Sequence, residues 1–410
     1  MDVDIVHIYA NAPGYEWTDA GAEGIACVDD AARAAVVYLR AFELRGDTAG
    51  IDRARGLLKF VLAMETEDGE FYNFVRPDLS VNRSGRTSEK SFGWWAARAV
   101  WAMSLGSRVM QKVDSSFART LERAVRRTFP RVEDMLRNYP HGKIVDGYRT
   151  PTWLLYESGA DASSELALGL VEFYRLSGDR AVEGYIRKIA DGMMLMQDGD
   201  EKTFPYGLHR SWQTKWHSWG NSQSLFLASA GKLLGDSAMI RSAEREARGW
   251  FSRLLVNGMM REIDCTQPGE GQRFDQIAYD VRPMALALLR LYDATNDERY
   301  LKMAGIGASW FFGNNPAGKA MYDPASGRCY DGISDSSRLN TNSGAESTVE
   351  ALYTLLELEQ YPLARHYVTF RRTDAHTTGH ELSGLFKDAS ADSLELLLNE
   401  DDGTLETRER

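Results

Sequence analysis

Two kinds of connection alternate along this chain, and their alternation constrains its fold more than any other feature. Apolar periodicity predicts twelve helices, at about 29–45, 51–65, 91–110, 116–138, 163–176, 180–196, 222–234, 237–255, 282–294, 297–312, 343–358 and 362–369. Links from odd to even helices are short and repeat one chemistry: RGDT at 45–48, SGDR at 177–180, LGDS at 234–237 and TNDE at 295–298. Gly or Asn supplies the left-handed residue that ends one helix, and Asp caps the next. Links from even to odd helices are long, roughly 25 residues or more, and crowded with aromatics; structureless loops of that length in a compact domain are usually functional.

The helices alternate in character as well. Odd ones, such as AARAAVVYL and PMALALLRL, are apolar nearly all round, as buried helices are. Even ones, such as IDRARGLLKFVLAM, carry one apolar stripe and one charged face. Six hairpins of this kind predict an all-α (α/α)6 toroid, with odd helices in an inner ring and even helices in an outer ring. An open solenoid is the alternative, but it has short loops on both faces. In the closed toroid every long loop emerges at one end and builds one crevice there. Pro130 is expected to kink or split the fourth helix. The barrel is expected to occupy residues 1–375. In the extension 376–410 the first part wraps the barrel base, and the acidic LLLNEDDGTLETRER is expected to be disordered.

Composition excludes several classes of function. A net charge of -11 disfavours nucleic-acid and anionic-membrane partners. No apolar run is long enough for a transmembrane helix. The N-terminus lacks a basic stretch followed by an apolar one, so a cytoplasmic location is expected. Cys27, Cys265 and Cys329 make neither a disulfide framework nor a zinc pattern. Only His376 and His380 have helical ligand spacing, and they lie after the toroid with Gly379 between them, so no catalytic metal is expected. No phosphate loop or nucleophile elbow is present, and no cofactor is expected.

The crevice loops carry the chemistry. Sugar recognition needs aromatic platforms and polar groups for hydroxyls. Trp94, Trp95, Tyr148, Trp212, Trp216 and Trp219 are the candidate platforms, with Arg86, His209, His217 and Asn342 as hydroxyl partners. Packing of loops on helix ends is expected to absorb about half of these aromatics. Glycosidic cleavage needs two carboxyl groups across the bond. Asp29 and Asp30 open the first inner helix, where paired carboxylates are costly without a partner or a function; the alternative is a helix cap, and Arg33 lies one turn on to pair with either. Glu346 opens the eleventh helix and could instead complete a capping box with Ser343. Asp280 is placed just before the ninth helix, whose first turn Pro283 would occupy. Asp275, Glu89 and Asp146 stand in comparable positions with weaker signals.

These residues resemble the six-hairpin glycosidase superfamily over most of the chain. More narrowly, Trp310-Phe-Phe-Gly313-Asn314-Asn315-Pro316, followed by MYD and then a Glu opening the next helix, resembles the C-terminal region of family 9 glycoside hydrolases. The resemblance implies Glu346 as catalytic acid, Asp29 or Asp30 as base, and inversion at the anomeric carbon of an oligo- or polysaccharide. The chain has DDAAR where that family has D-A-G-D, and NSGAES in place of its N-E segment. Two other readings remain on the same fold. One is a polysaccharide lyase or sugar epimerase using Tyr or His as base; the other is a non-catalytic carbohydrate-binding toroid.

Overall fold

The computed structural model describes residues 3–409. Helices α1 (Val28–Arg45), α3 (Trp94–Val109), α5 (Ala160–Ser177), α7 (Gln223–Leu234), α10 (Ala278–Thr295) and α12 (Ala345–Leu358) form the inner ring. Each packs on the next, and α12 packs back on α1, so the ring closes. The outer helices are α2 (Thr48–Ala63), α4 (Ser115–Met135), α6 (Arg180–Leu195), α8 (Ser237–Glu246), α9 (Ser252–Asn257), α11 (Glu298–Ala308) and the short α13 (Pro362–His366). A π-helical turn, Ala247–Phe251, joins α8 to α9, which together fill the place of one expected helix. The architecture is the (α/α)6 toroid.

Small side chains let the inner helices approach closely. Gly169 of α5 lies against α3 so tightly that a Cβ there would stand 2.7 Å from the Trp101 Cα. The short links behave as their chemistry predicts. Gly46, Gly178, Gly235 and Asn296 all take left-handed conformations with φ between 57° and 70°. Asp47, Asp179, Asp236 and Asp297 then cap α2, α6, α8 and α11 by accepting from main-chain N–H groups.

Three expectations fail. Pro130 does not split α4, which is helical through Met135; its buried residues Ala118, Leu121, Ala124, Val125, Thr128 and Val132, packed on α3, hold the segment helical. α10 begins at Ala278, so Asp280 lies within its first turn rather than before it, and Pro283 is inside the helix. The C-terminal tail is ordered: Arg371–Thr377, Glu381–Lys387, Ser393–Asn399 and Leu405–Glu409 form an antiparallel sheet in chain order. Alternation explains it. Leu382, Phe386, Leu394, Leu396, Leu398 and Leu405 are buried, and the sheet packs on α9 and α11. His376 and His380 stand on this sheet and its turn, each beside an aspartate, rather than on a helix. No helix among the described residues is long and apolar enough to cross a membrane.

Candidate active site

The N-terminal ends of α1, α3, α10 and α12 line a cavity of about 560 Å³ at the long-loop end. Its walls include Asp29 from α1, Trp94, Trp95 and Arg98 from α3, Trp219 from the loop before α7, Tyr279 and Asp280 from α10, and Glu346 from α12. Glu23, Asn73, Asp275 and Arg261 complete the polar rim. The Trp94 and Trp219 rings stand 5.9 Å apart at 40°. Trp95 donates its indole N–H to the Phe71 carbonyl at 2.7 Å, which fixes that ring. Gly220 has φ +67°, and a Cβ there would stand 3.0 Å from both Trp94 and the Tyr279 hydroxyl. The chain therefore passes Trp94 only because this residue lacks a side chain.

Beneath the cavity runs a hydrogen-bonded network to which α1, α3, α5, α10, α12 and the residue capping α7 contribute. Arg33 of α1 donates to Asp30 at 2.8 Å, to Glu346 at 2.9 Å and to Glu350 of α12 at 3.1 Å. Arg282 of α10 donates to Glu350 at 2.6 Å, to Glu165 of α5 at 2.8 Å and to Ser222, which precedes α7, at 3.2 Å. Arg98 of α3 pairs with Asp29 and donates to the Tyr279 hydroxyl at 2.6 Å; Tyr279 in turn donates to Glu165 at 3.2 Å. Arg33, Arg98 and Arg282 all lie within 5.3 Å of the Tyr279 ring centroid. Three guanidinium groups thus face five carboxyls, Asp29, Asp30, Glu165, Glu346 and Glu350. The surplus is acidic, which disfavours ionisation of further carboxyls nearby.

The carboxyl groups divide accordingly. Burial alone would raise Asp29, but Arg98 and Arg33 outweigh it and hold that carboxyl below the usual range. Burial lifts Asp280 to about 7, and the charge of Glu346 adds to the effect against the hydrogen bond from the Ile277 N–H. One Asp280 oxygen accepts from the Ile277 N–H at 2.8 Å, while the other, Oδ1, is buried with no partner. Burial likewise lifts Asp30 to about 6. Glu346 is the most open of the set, its side chain 42% exposed at the rim.

Asp29, Asp280, Glu346, Trp94, Trp95 and Trp219 thus meet in one cavity. Other expected site residues do not join them. Asp30 lies behind the wall, accepting from the Cys27 thiol at 3.3 Å and from Arg33, because its side chain follows the inner face of α1. His209 is fully buried between Glu246 and Ser242, at 2.8 and 2.9 Å. His217 bonds Asp161 at 2.9 Å and the Trp219 carbonyl at 2.7 Å and stacks under Trp219, supporting that platform rather than facing the cavity. Trp216 packs edge-on against Trp250 in the core. Tyr148 donates to the Cys265 carbonyl and holds a hairpin. Trp212 and Arg86 are exposed away from the cavity, as are Glu89 and Asp146. Asn342 accepts from the Ala12 N–H at 3.0 Å and ties down the N-terminal segment. The Ser343–Glu346 capping box does not form; Ser343 bonds Thr348 at 3.1 Å while Glu346 turns to Arg33. Arg98, Tyr279, Arg282, Glu165 and Glu350 were not singled out from the sequence. Their signal was a charged or polar residue among the apolar ones of a buried inner helix.

The sequence pattern of glycosyl hydrolase family 9 matches residues 24–322, nearly three quarters of the chain. The chain belongs to glycosyl hydrolase family 9. The matched region of this family member includes Asp29, Asp280 and the Gly313–Pro316 segment and ends before Glu346. Solved structures share its fold at low identity. A sugar epimerase from a ruminal bacterium is 13% identical, covers 87% of this chain and 92% of its own, with a TM-score of 0.61. A cellulase of C. cellulolyticum is 12% identical over 82% and 85%, with a TM-score of 0.50. An inactive variant of an α-1,6-mannanase of Salegentibacter sp. HEL1_6, in complex with α-1,6-mannotriose, is 11% identical over 88% and 95%, with a TM-score of 0.51. No curated protein matches the sequence.

Proposed function

We propose that this family 9 chain hydrolyses a glycosidic bond of an oligo- or polysaccharide, with Asp280 as general acid and Asp29 as general base. One observation carries the assignment: two carboxyl groups line one aromatic-walled cavity, and their surroundings drive them to opposite protonation states. Such a divided pair is what acid–base cleavage needs. Asp280, lifted to about 7, keeps its proton below neutral pH and donates it from the cavity wall to the leaving glycosidic oxygen. Asp29, held ionised by Arg98 and Arg33, takes a proton from the attacking water. Glu346, the acid implied by sequence resemblance, is ion-paired to Arg33 at 2.9 Å, so it suits a sugar hydroxyl or the water better than the leaving oxygen. Trp94 and Trp219 flank the sugar, and Asp30 acts through Arg33 as a positioning residue.

A pH profile tests the roles. Turnover needs Asp29 ionised, as Arg98 and Arg33 hold it, and Asp280 protonated, so kcat/KM is expected to fall about tenfold per unit as pH rises above about 7. A profile still rising above pH 8 would remove Asp280 from the acid role. Trp219→Ala is expected to raise KM about fivefold with kcat changed less than threefold, consistent with about 1 kcal/mol of lost stacking; an unchanged KM would move the sugar away from that wall.

A second reading, sugar epimerisation, draws on the higher fold similarity to epimerases. It needs a base able to remove a proton from carbon inside the cavity. Both ring nitrogens of His209 and of His217 are already bonded to protein, and neither histidine lines the cavity.

A further inference from the structure

A second cavity of about 520 Å³ lies where the C-terminal sheet meets α9 and the Gly313–Pro316 segment. Arg273, Arg371 and Arg372 all line it, and no Asp or Glu does. In a chain of net charge -11 that is an unusual clustering. None of the three makes an ion pair among the described residues, although most other arginines here do. Each donates one bond to a main-chain carbonyl at a helix end: Arg273 to Asn257 at 3.0 Å, Arg372 to Val256, and Arg371 to Phe312 at 3.3 Å. Helix capping accounts for that one donor in each case, and a guanidinium carries five.

Two of these cations converge. A methyl group at Gly258 would stand 3.6 Å from the Arg273 Nη1 and 3.7 Å from the Arg372 Nη1, so both guanidinium groups face one point beside the Gly258 backbone. Burial and the adjacent Arg273 charge both push Arg372 below its ordinary value. Like charges held together without a counter-charge cost stability unless something compensates. Asn314 accepts from the Arg372 N–H at 3.0 Å and so locks the first strand of the sheet to the loop that forms the opposite wall.

We infer that this cavity binds a phosphate or sulfate group, held between Arg273 and Arg372 with Arg371 at its edge. Planar guanidinium forks match such oxyanions and read them bidentately. The site is separate from the catalytic cavity but shares a wall with it. Along 273–277, Arg273, Phe274 and Gln276 face the arginine cavity while Asp275 and Ile277 face the cleft. The C-terminal sheet contributes two of the three cations, which gives the extension a role beyond covering α9.

Calorimetric titration of the full chain at low ionic strength, with inorganic phosphate and separately with glucose 6-phosphate, tests this. Saturable binding is expected, weakened at least tenfold in Arg273→Gln and in Arg372→Gln. Equal affinity for the two compounds would identify the free oxyanion as the ligand, and tighter binding of glucose 6-phosphate would identify a sugar-borne phosphate. If either variant folds poorly, Arg371→Gln, which removes one bond to the Phe312 carbonyl, is expected to weaken binding several-fold in its place. Absence of saturable binding by the wild-type chain, or affinity unchanged in the folded variants, would overturn the inference.

Discussion

Replacing Asp280 by Asn is expected to lower kcat on natural oligosaccharides by about 10²–10⁴-fold, the usual contribution of a positioned general acid. The same variant should lose far less on dinitrophenyl glycosides, whose leaving group departs without protonation. Asp29→Asn should lose activity on both substrate types, because attack by water is impaired whatever departs. The contrast separates the two roles, whereas loss of activity alone would not. Stability supplies the control. The folded-state value of Asp280, about 7, lies above its ordinary 3.8, so the folded chain holds this proton more tightly than the unfolded chain does. The stabilisation is complete below the unfolded value and is lost as pH rises through about 7. Asn carries no ionisation cost, so Asp280→Asn should match or exceed the wild-type Tm at pH 8. A folded Asp280→Asn chain with undiminished turnover on natural substrates would exclude Asp280 as the acid.

Arg282→Met is expected to destabilise the chain by about 3–5 kcal/mol, the range seen when one partner of a buried ion pair is removed. For a chain of this length that corresponds to about 5 °C in Tm. The reason lies in what is left behind. Glu165 and Glu350 are both essentially inaccessible to solvent, and Arg282 bridges them at 2.8 and 2.6 Å. Without it Glu165 retains the hydroxyls of Ser222 and Tyr279, while Glu350 retains Arg33. The methylene stem of Met fills much of the space but none of the charge. The double change Arg282→Met with Glu350→Leu should recover part of the loss, since it removes one stranded carboxylate. Thermal unfolding of the wild type and the two variants measures both effects; a Tm for Arg282→Met within 1 °C of wild type would mean that the network carries little of the barrel's stability.

Much of this fold could be read from local chemistry. The Gly-Asp and Asn-Asp turns announced themselves because each residue has one conformational or capping role, and the structure places all four turns accordingly. Asp29 and Glu346 could be located because helix starts on the long-loop side converge by the logic of the toroid, whatever the details of packing. The roles of the aromatic and histidine residues were less accessible. Trp216 and Trp219 are three residues apart in one loop, yet one packs on Trp250 and the other walls the cavity; only the path of the chain through Gly220 decides between them. His209 and His217 looked like sugar ligands because their partners, Glu246 and Asp161, are 37 and 56 residues away. The arginine–carboxylate network is largely non-local in the same way, its links between helices spanning 60 to more than 300 positions. The C-terminal sheet was masked by its acidic turns, although alternating Leu394, Leu396 and Leu398 carried the strand signal.

The most direct test of the central claim is incubation of the wild-type chain with a panel of neutral oligosaccharides in ¹⁸O-water, with products followed by mass spectrometry. The account predicts shorter sugars, one carrying the heavy oxygen at its new reducing end, and their loss in a folded Asp29→Asn variant. Recovery of an isomer with the mass of the starting sugar and no cleavage would contradict it and assign the cavity to epimerisation instead.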